Sequence, residues 1–186
     1  MIDRIKCLNE MLERILNILD LTQLHTIGYR LQDVKVTFNR DIKVDTPDVS
    51  IEAKHGEILS ISRWVAEVLA SEKIVDIQDT DMIVALKQAL VKENVQGDFD
   101  LSTLESDFYI KLNSYMQRLP QQDRDKVESM LNTLMRKRQG KIIRLADSSK
   151  MTSDLAKKLS IEERALFNAI HLQSVDFNKQ ILGDKK

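Results

Sequence analysis

Arg136, Lys137, Arg138 and Lys141 fill four of six consecutive positions, and Arg144 follows in the stretch "LMRKRQGKIIRLADSSKM". Cations this dense can grip a nucleic-acid backbone, clamp a catalytic phosphate, or present a helix face that another protein reads. Histidine is the other residue type that could do chemistry here. The three histidines, His25, His55 and His171, lie in different segments and share no metal-type spacing such as H-x-x-x-H. His55 beside Gly56 reads as a turn residue. His171 falls on the side of its helix away from Leu166 and Ile170, where exposure is expected. The five glycines are isolated, so no Gly-rich phosphate loop is present, and there is no G-x-S-x-G elbow. Acidic pairs such as Asp79/Asp81 and Glu162/Glu163 read as helix N-terminal charges favoured by the macrodipole. The expectation is a non-enzyme with no catalytic residue, no cofactor and no metal.

Composition agrees with a role in assembly. Net charge is −1, so no global basic field draws the chain to nucleic acid. The charge is uneven, however. Residues 136–150 hold six Lys/Arg against Asp147 alone, whereas Asp98, Asp100, Glu105 and Asp107 cluster without a cation. One cysteine, Cys7, excludes an intrachain disulfide framework. No apolar run reaches the ~18 residues of a membrane span, and the charged N-terminus does not read as a secretory signal. A soluble, cytoplasmic protein is expected.

The elements that must position the cations are mostly helices. Only 5 Gly and 2 Pro occur in 186 residues, and 42% of the chain is hydrophobic. Four segments are expected: an amphipathic helix over residues 1–27, a small β-rich domain over 28–78, an α-helical domain over 79–182, and a tail, 183–186. The fold class is therefore α+β, a C-terminal helical bundle after a small β-rich domain. In the first segment Ile2, Ile5, Leu8, Leu12, Ile15 and Leu19 recur at three- and four-residue steps. In the second, Val34, Val36 and Phe38 alternate as on a strand. Two strands turn at His55–Gly56, and a short helix capped by Ser62 puts Trp64, Val65, Val68 and Leu69 on the sheet. "IVDIQ" closes the unit. In the third segment, Ser102/Glu105 and Ser160/Glu163 each read as a capping box opening a helix. Leu166, Ile170, Phe177 and Ile181 form the stripe of the last helix.

Helical geometry divides the basic cluster. At about 100° per residue, Val127, Leu131, Leu134, Ile142 and Leu145 all fall within about 40° of Arg138. Arg138 thus sits in the apolar seam, flanked by Lys141. Arg136 and Gly140 point to the opposite side, and Lys137 and Arg144 to a third. An arginine in such a seam needs carboxylates or carbonyls, and Asp107 and Glu163 are candidates. Gly140, a weak helix former, suggests a close backbone approach on the far face.

"FYIKL" (Phe108 to Leu112), "RQGKIIRLA" (Arg138 to Ala146) and "LSIEERALFNAI" (Leu159 to Ile170) resemble, in that order, the helical domain of GINS complex subunits. Arg138, Lys141, Ile142, Leu145 and Ala146 match the long-helix motif; Leu159, Ser160, Glu162, Glu163 and Ile170 match the capping segment. Upstream, "VKVTFNRDI" and "HGEILSISRWVAEVLASEKIVDI" resemble the family's small β domain. The order, β domain first, resembles one of two paralogous classes, and the short chain resembles archaeal members. The resemblance spans roughly residues 30–182 and leaves 1–27 without a counterpart. It implies a non-catalytic scaffold subunit that supports the replicative MCM helicase in DNA replication. Its implied partners are a paralogous GINS subunit in a hetero-tetramer, MCM, a RecJ-like protein, and primase or DNA polymerase. Localisation would be cytoplasmic, at nucleoid-associated replication forks. Arg138, Lys141, Ile142, Leu145, Phe108, Tyr109 and Glu163 are the expected interface or structural residues. The alternative is a nucleic-acid-binding module using Arg136, Lys137 and Arg144.

Overall fold

A computed structural model gives the architecture and describes residues 22–47, 49–79 and 81–183. Most of the expected N-terminal amphipathic helix and most of the tail lie outside the described residues. The fold is α+β and divides into two compact units at Asp81/Met82.

The smaller unit, Gln23–Asp81, begins within the helical residues 22–31 (α1) and contains β1 (Asp33–Phe38), β2 (Ile42–Asp45), β3 (Ser50–Ala53), β4 (Ile58–Ser62), α2 (Arg63–Ser71) and β5 (Val75–Ile77). The strands form an antiparallel sheet of order β4-β1-β5 and a separate β2–β3 hairpin. Val36 stands opposite Leu59 on one side and Ile77 on the other. Alternation along β1 buries Val34, Val36 and Phe38 with Ile51, Ala66 and Val75. The hairpin strand β2 is the element that the sequence did not separate from β1. Gly56 adopts φ +81, a left-handed conformation open to glycine, and its N–H donates to the Phe38 carbonyl at 2.7 Å.

Two expectations for α2 are corrected. Ala66, Val65 and Leu69 pack on the sheet, whereas Trp64 and Val68 are exposed. Ser62 makes no side-chain cap; its hydroxyl donates to Asp33. Arg63 holds this unit instead. Its guanidinium donates to both oxygens of Asp79 at 2.7 and 2.9 Å and lies 4.3 Å from the Tyr29 ring centre. Asp79 is therefore an ion-pair partner, not a helix N-terminal charge. Burial opposes the Arg63 cation, but Asp79 and Tyr29 outweigh it and hold its pKa above the usual value. Arg63→Ala is expected to lower the stability of this unit by about 2 kcal/mol, because Asp79 loses its bidentate partner and Tyr29 its cation. Trp64, the only tryptophan, reports the transition by fluorescence in urea; an unchanged midpoint would remove Arg63 from the account.

The larger unit holds α3 (Met82–Val95), α4 (Phe108–Gln117), α5 (Gln121–Ser148), α6 (Ser153–Lys158) and α7 (Ile161–Leu182). Two apolar clusters lie along α5. Val127 and Leu134 pack with Leu86, Phe108 and Leu112; Ile142 and Ala146 pack with Leu101, Leu159 and Phe167. Ser160 caps α7 in a full capping box with Glu163, an arrangement typically worth ~1 kcal/mol. The other box does not form: α4 starts at Phe108, residues 101–105 are not helical, and Ser102 turns its hydroxyl to Glu93. Phe177 and Ile181 are exposed, and Phe167 is the buried aromatic of α7. His171 is half-buried and bonds the Ala146 carbonyl at 2.8 Å through Nδ1, so the expected exposed histidine is tied to the end of α5. A Cβ at Gly140 would meet nothing within 4 Å, which removes the expected close backbone approach. Among the described residues, no helix is long and apolar enough to cross a membrane.

Candidate functional site

Arg138 lies one helical turn from Leu134 and one from Ile142, so it separates the two apolar clusters. Its side chain is 0% exposed. Each part of its guanidinium has a partner. Nη1 donates to Glu93 Oε2 at 2.7 Å and to the Ser102 carbonyl at 2.8 Å. Nε and Nη2 donate to the two oxygens of Glu163 at 2.7 and 2.8 Å, and Nη2 also reaches the Lys158 carbonyl at 3.0 Å. The planar fork suits this use, because a bidentate carboxylate needs two parallel N–H groups. One side chain thus joins α3, the 101–105 segment, the end of α6 and the start of α7 to α5.

The carboxylates are equally well supplied. Glu93 Oε2 also accepts from the Ser102 N–H at 3.1 Å and the Ser102 hydroxyl at 2.7 Å. Its other oxygen lies 2.6 Å from Lys141 Nζ, an ion pair set outside good hydrogen-bond geometry. Lys141 also donates to the carbonyls of Glu93 and Gln96. Glu163 Oε1 accepts from the Tyr109 hydroxyl at 2.8 Å, and its Oε2 from the Ser160 N–H at 3.1 Å. Two carboxylates therefore face two cations, and the buried junction is neutral. Burial works against the Glu93 anion, but the close Lys141 ammonium, the hydrogen bonds from Ser102 and the charge of Arg138 outweigh it and hold its pKa below the usual range. Burial likewise opposes the Arg138 cation; Glu163 and Glu93 override it and raise its pKa. Burial, then the Glu163 charge, push the Tyr109 phenol well above its ordinary value.

A family model described as the GINS complex protein helical bundle domain matches residues 81–182, more than half of the chain. The chain belongs to the GINS family. No curated protein matches it at a significant level. The matched span contains every member of the Arg138 junction.

The structure brings Arg138, Lys141, Tyr109 and Glu163 into this one junction. Ile142 and Leu145 pack beside it with Phe167, and Phe108 is buried in the neighbouring cluster, edge-on to Tyr109. These seven residues lie inside the GINS helical unit or line its core. Asp107 is not a partner of Arg138; it pairs with Lys111 at 3.2 Å. The outer cations lie elsewhere: Arg136, Lys137 and Arg144 are exposed, and Lys137 is bonded to Asn94. Glu93 and Ser102 were missed by sequence reasoning. For Glu93 a signal existed: Met82, Leu86, Ala89 and Glu93 recur at helical steps and are all buried, which makes Glu93 a carboxylate in an apolar stripe. Ser102 carried the wrong signal, because its capping pattern pointed to a helix start.

Proposed function

We propose that this chain is a non-catalytic scaffold subunit of the GINS complex that supports the replicative MCM helicase in the initiation and elongation of DNA replication. The match of the GINS helical bundle over residues 81–182 carries this reading. The junction supports it, because the buried charged side chains of the helical unit, Glu93, Arg138, Lys141 and Glu163, are engaged in holding five segments together. The partners are a paralogous GINS subunit, in a hetero-tetramer of archaeal type, and through it MCM, a RecJ-like protein and primase or polymerase. The small β-rich domain ahead of the helical domain supports assignment to the β-first class. Its site of action is the replication fork, in the cytoplasm at the nucleoid.

Size-exclusion chromatography with light scattering on the full chain, alone and mixed with a paralogous subunit, tests this. A shift to a hetero-oligomer mass is expected. A monomer indifferent to the paralogue would overturn the reading. The second reading is nucleic-acid binding, favoured by Arg136 and Arg144, which are exposed on α5 without a side-chain partner among the described residues. DNA titrated over a salt series decides it: a steep fall in affinity with salt supports that reading.

A further inference from the structure

We infer that the β4 edge of the small unit pairs with β4 of a second copy of this chain, antiparallel across a two-fold axis at Ser60, so that two three-stranded sheets become one. This edge belongs to the small unit alone and is independent of the subunit reading above.

The sheet stops at β4. Its order is β4-β1-β5, so β4 has a neighbouring strand on one side only. The Phe38 N–H donates to the Glu57 carbonyl and the Arg63 N–H to the Gln32 carbonyl, which fixes the alternation of the ladder between them. Leu59 and Ile61 turn their backbone groups to β1, and Ile58, Ser60 and Ser62 turn theirs away from it. Among the described residues, the outward N–H and C=O groups of Ile58 and Ser60 take no backbone partner. The core is open on the same side. β1 buries Val34, Val36 and Phe38 to 7% exposure or less, whereas Leu59 and Ile61, opposite Val36 and Val34, are only half-buried. The other edge strand, β5, is shorter, carries the charged Asp76 and buries Val75. A strand that must stay single is usually protected by a lysine, a proline or a bulge. Ile58–Ser62 has none of these, and its register with β1 is unbroken.

The sequence of β4 selects the occupant. Antiparallel pairing about Ser60 sets Ser60 opposite itself and Ile58 opposite Ser62 of the second copy, and these are the residues whose backbone groups point outward. Ser62 is the N-cap of α2, so its carbonyl serves the helix. Its N–H and the groups of Ile58 and Ser60 make about four N–H···O bonds across the axis. On the inner face Leu59 stands opposite Ile61 of the second copy, and each covers the other. No like charges meet. β4 is uncharged, and the first charged positions beyond it, Glu57 and Arg63, fall opposite each other.

Sedimentation equilibrium of the full chain over a concentration series is the test, with Ser60→Lys and Ser60→Glu as variants. The wild-type chain should form a dimer. Each variant places like charges on the axis and should weaken dimerisation about 10-fold, and an equimolar mixture of the two should restore it. Ser60 is exposed, so the urea midpoint of either variant in dilute solution should match wild type, and restoration in the mixture separates repulsion from misfolding. A wild-type chain that stays monomeric would overturn the proposal. A dimer that both variants leave equally tight, or that the mixture does not restore, would overturn the axis at Ser60. A monomeric chain whose binding to the paralogous subunit is weakened by both variants would assign the edge to that subunit and overturn the second copy. Complex formation with the paralogue is scored separately, so either reading can fail without the other.

Discussion

Arg138→Ala is expected to destabilise the helical unit by about 3–5 kcal/mol, the cost of removing one partner from a buried ion pair. The loss is large because the guanidinium satisfies four separate groups: the Glu93 and Glu163 carboxylates and the Ser102 and Lys158 carbonyls. Without it Glu163 retains Tyr109 and the Ser160 N–H, and Glu93 retains Lys141 and Ser102, so neither is wholly abandoned. The Lys158 carbonyl keeps the Leu104 N–H at 3.2 Å, but the Ser102 carbonyl loses its donor, and the vacated volume lies between two apolar clusters. Domains are stable by about 5–15 kcal/mol, so this one change consumes a large part of the margin. Arg138→Lys should recover less than half of the loss, because a single ammonium cannot serve a bidentate carboxylate and Glu93 at once. Urea unfolding followed by far-ultraviolet circular dichroism measures both. An alanine variant within 1 kcal/mol of wild type would show that the junction is not a source of stability.

The second large effect is expected at Glu93 and depends on pH. Glu93→Gln keeps the shape but leaves Arg138 and Lys141 with one carboxylate between them, at a cost on the order of 2–4 kcal/mol near neutral pH. The pKa of Glu93 is lower in the folded chain than the usual ~4.3 of the unfolded one. The unfolded chain therefore binds the proton first, and the contribution of Glu93 is complete above about pH 4.3 and declines as pH falls through the folded value. Wild type and Glu93→Gln should accordingly converge in urea midpoint as pH is lowered from 7 toward 3. A gap that stays constant over that range would mean that the carboxylate charge is not what stabilises the junction.

Much of this junction is legible in the sequence. Arg138 could be placed in the apolar seam because its spacing from Leu134 and Ile142 follows helical periodicity, which is local. Glu163 was marked by its capping box with Ser160, also local. Glu93 belongs to a helix 45 positions away in sequence, and it needed its own stripe to be read as buried. Ser102 misled, because the same Ser-x-x-Glu pattern that caps α7 is used at 102–105 by a non-helical segment whose serine hydroxyl serves Glu93. His171 misled in another way. Its angle on the helix put it off the main stripe, but the end of α5 lies alongside and offers the Ala146 carbonyl.

By itself, the sequence determined the helix-rich composition, the small β-rich unit ahead of the bundle, and the motifs that place the chain in the GINS family. These follow from short-range rules: few Gly and Pro, alternation in β1, and three- and four-residue spacing in α5 and α7. Tertiary structure alone decided which carboxylates meet Arg138, that Asp79 belongs to Arg63, and that the sheet ends at β4. The physical reason is that local periodicity fixes which side of an element is apolar. It does not fix what lies opposite, and ion pairs are set by what lies opposite.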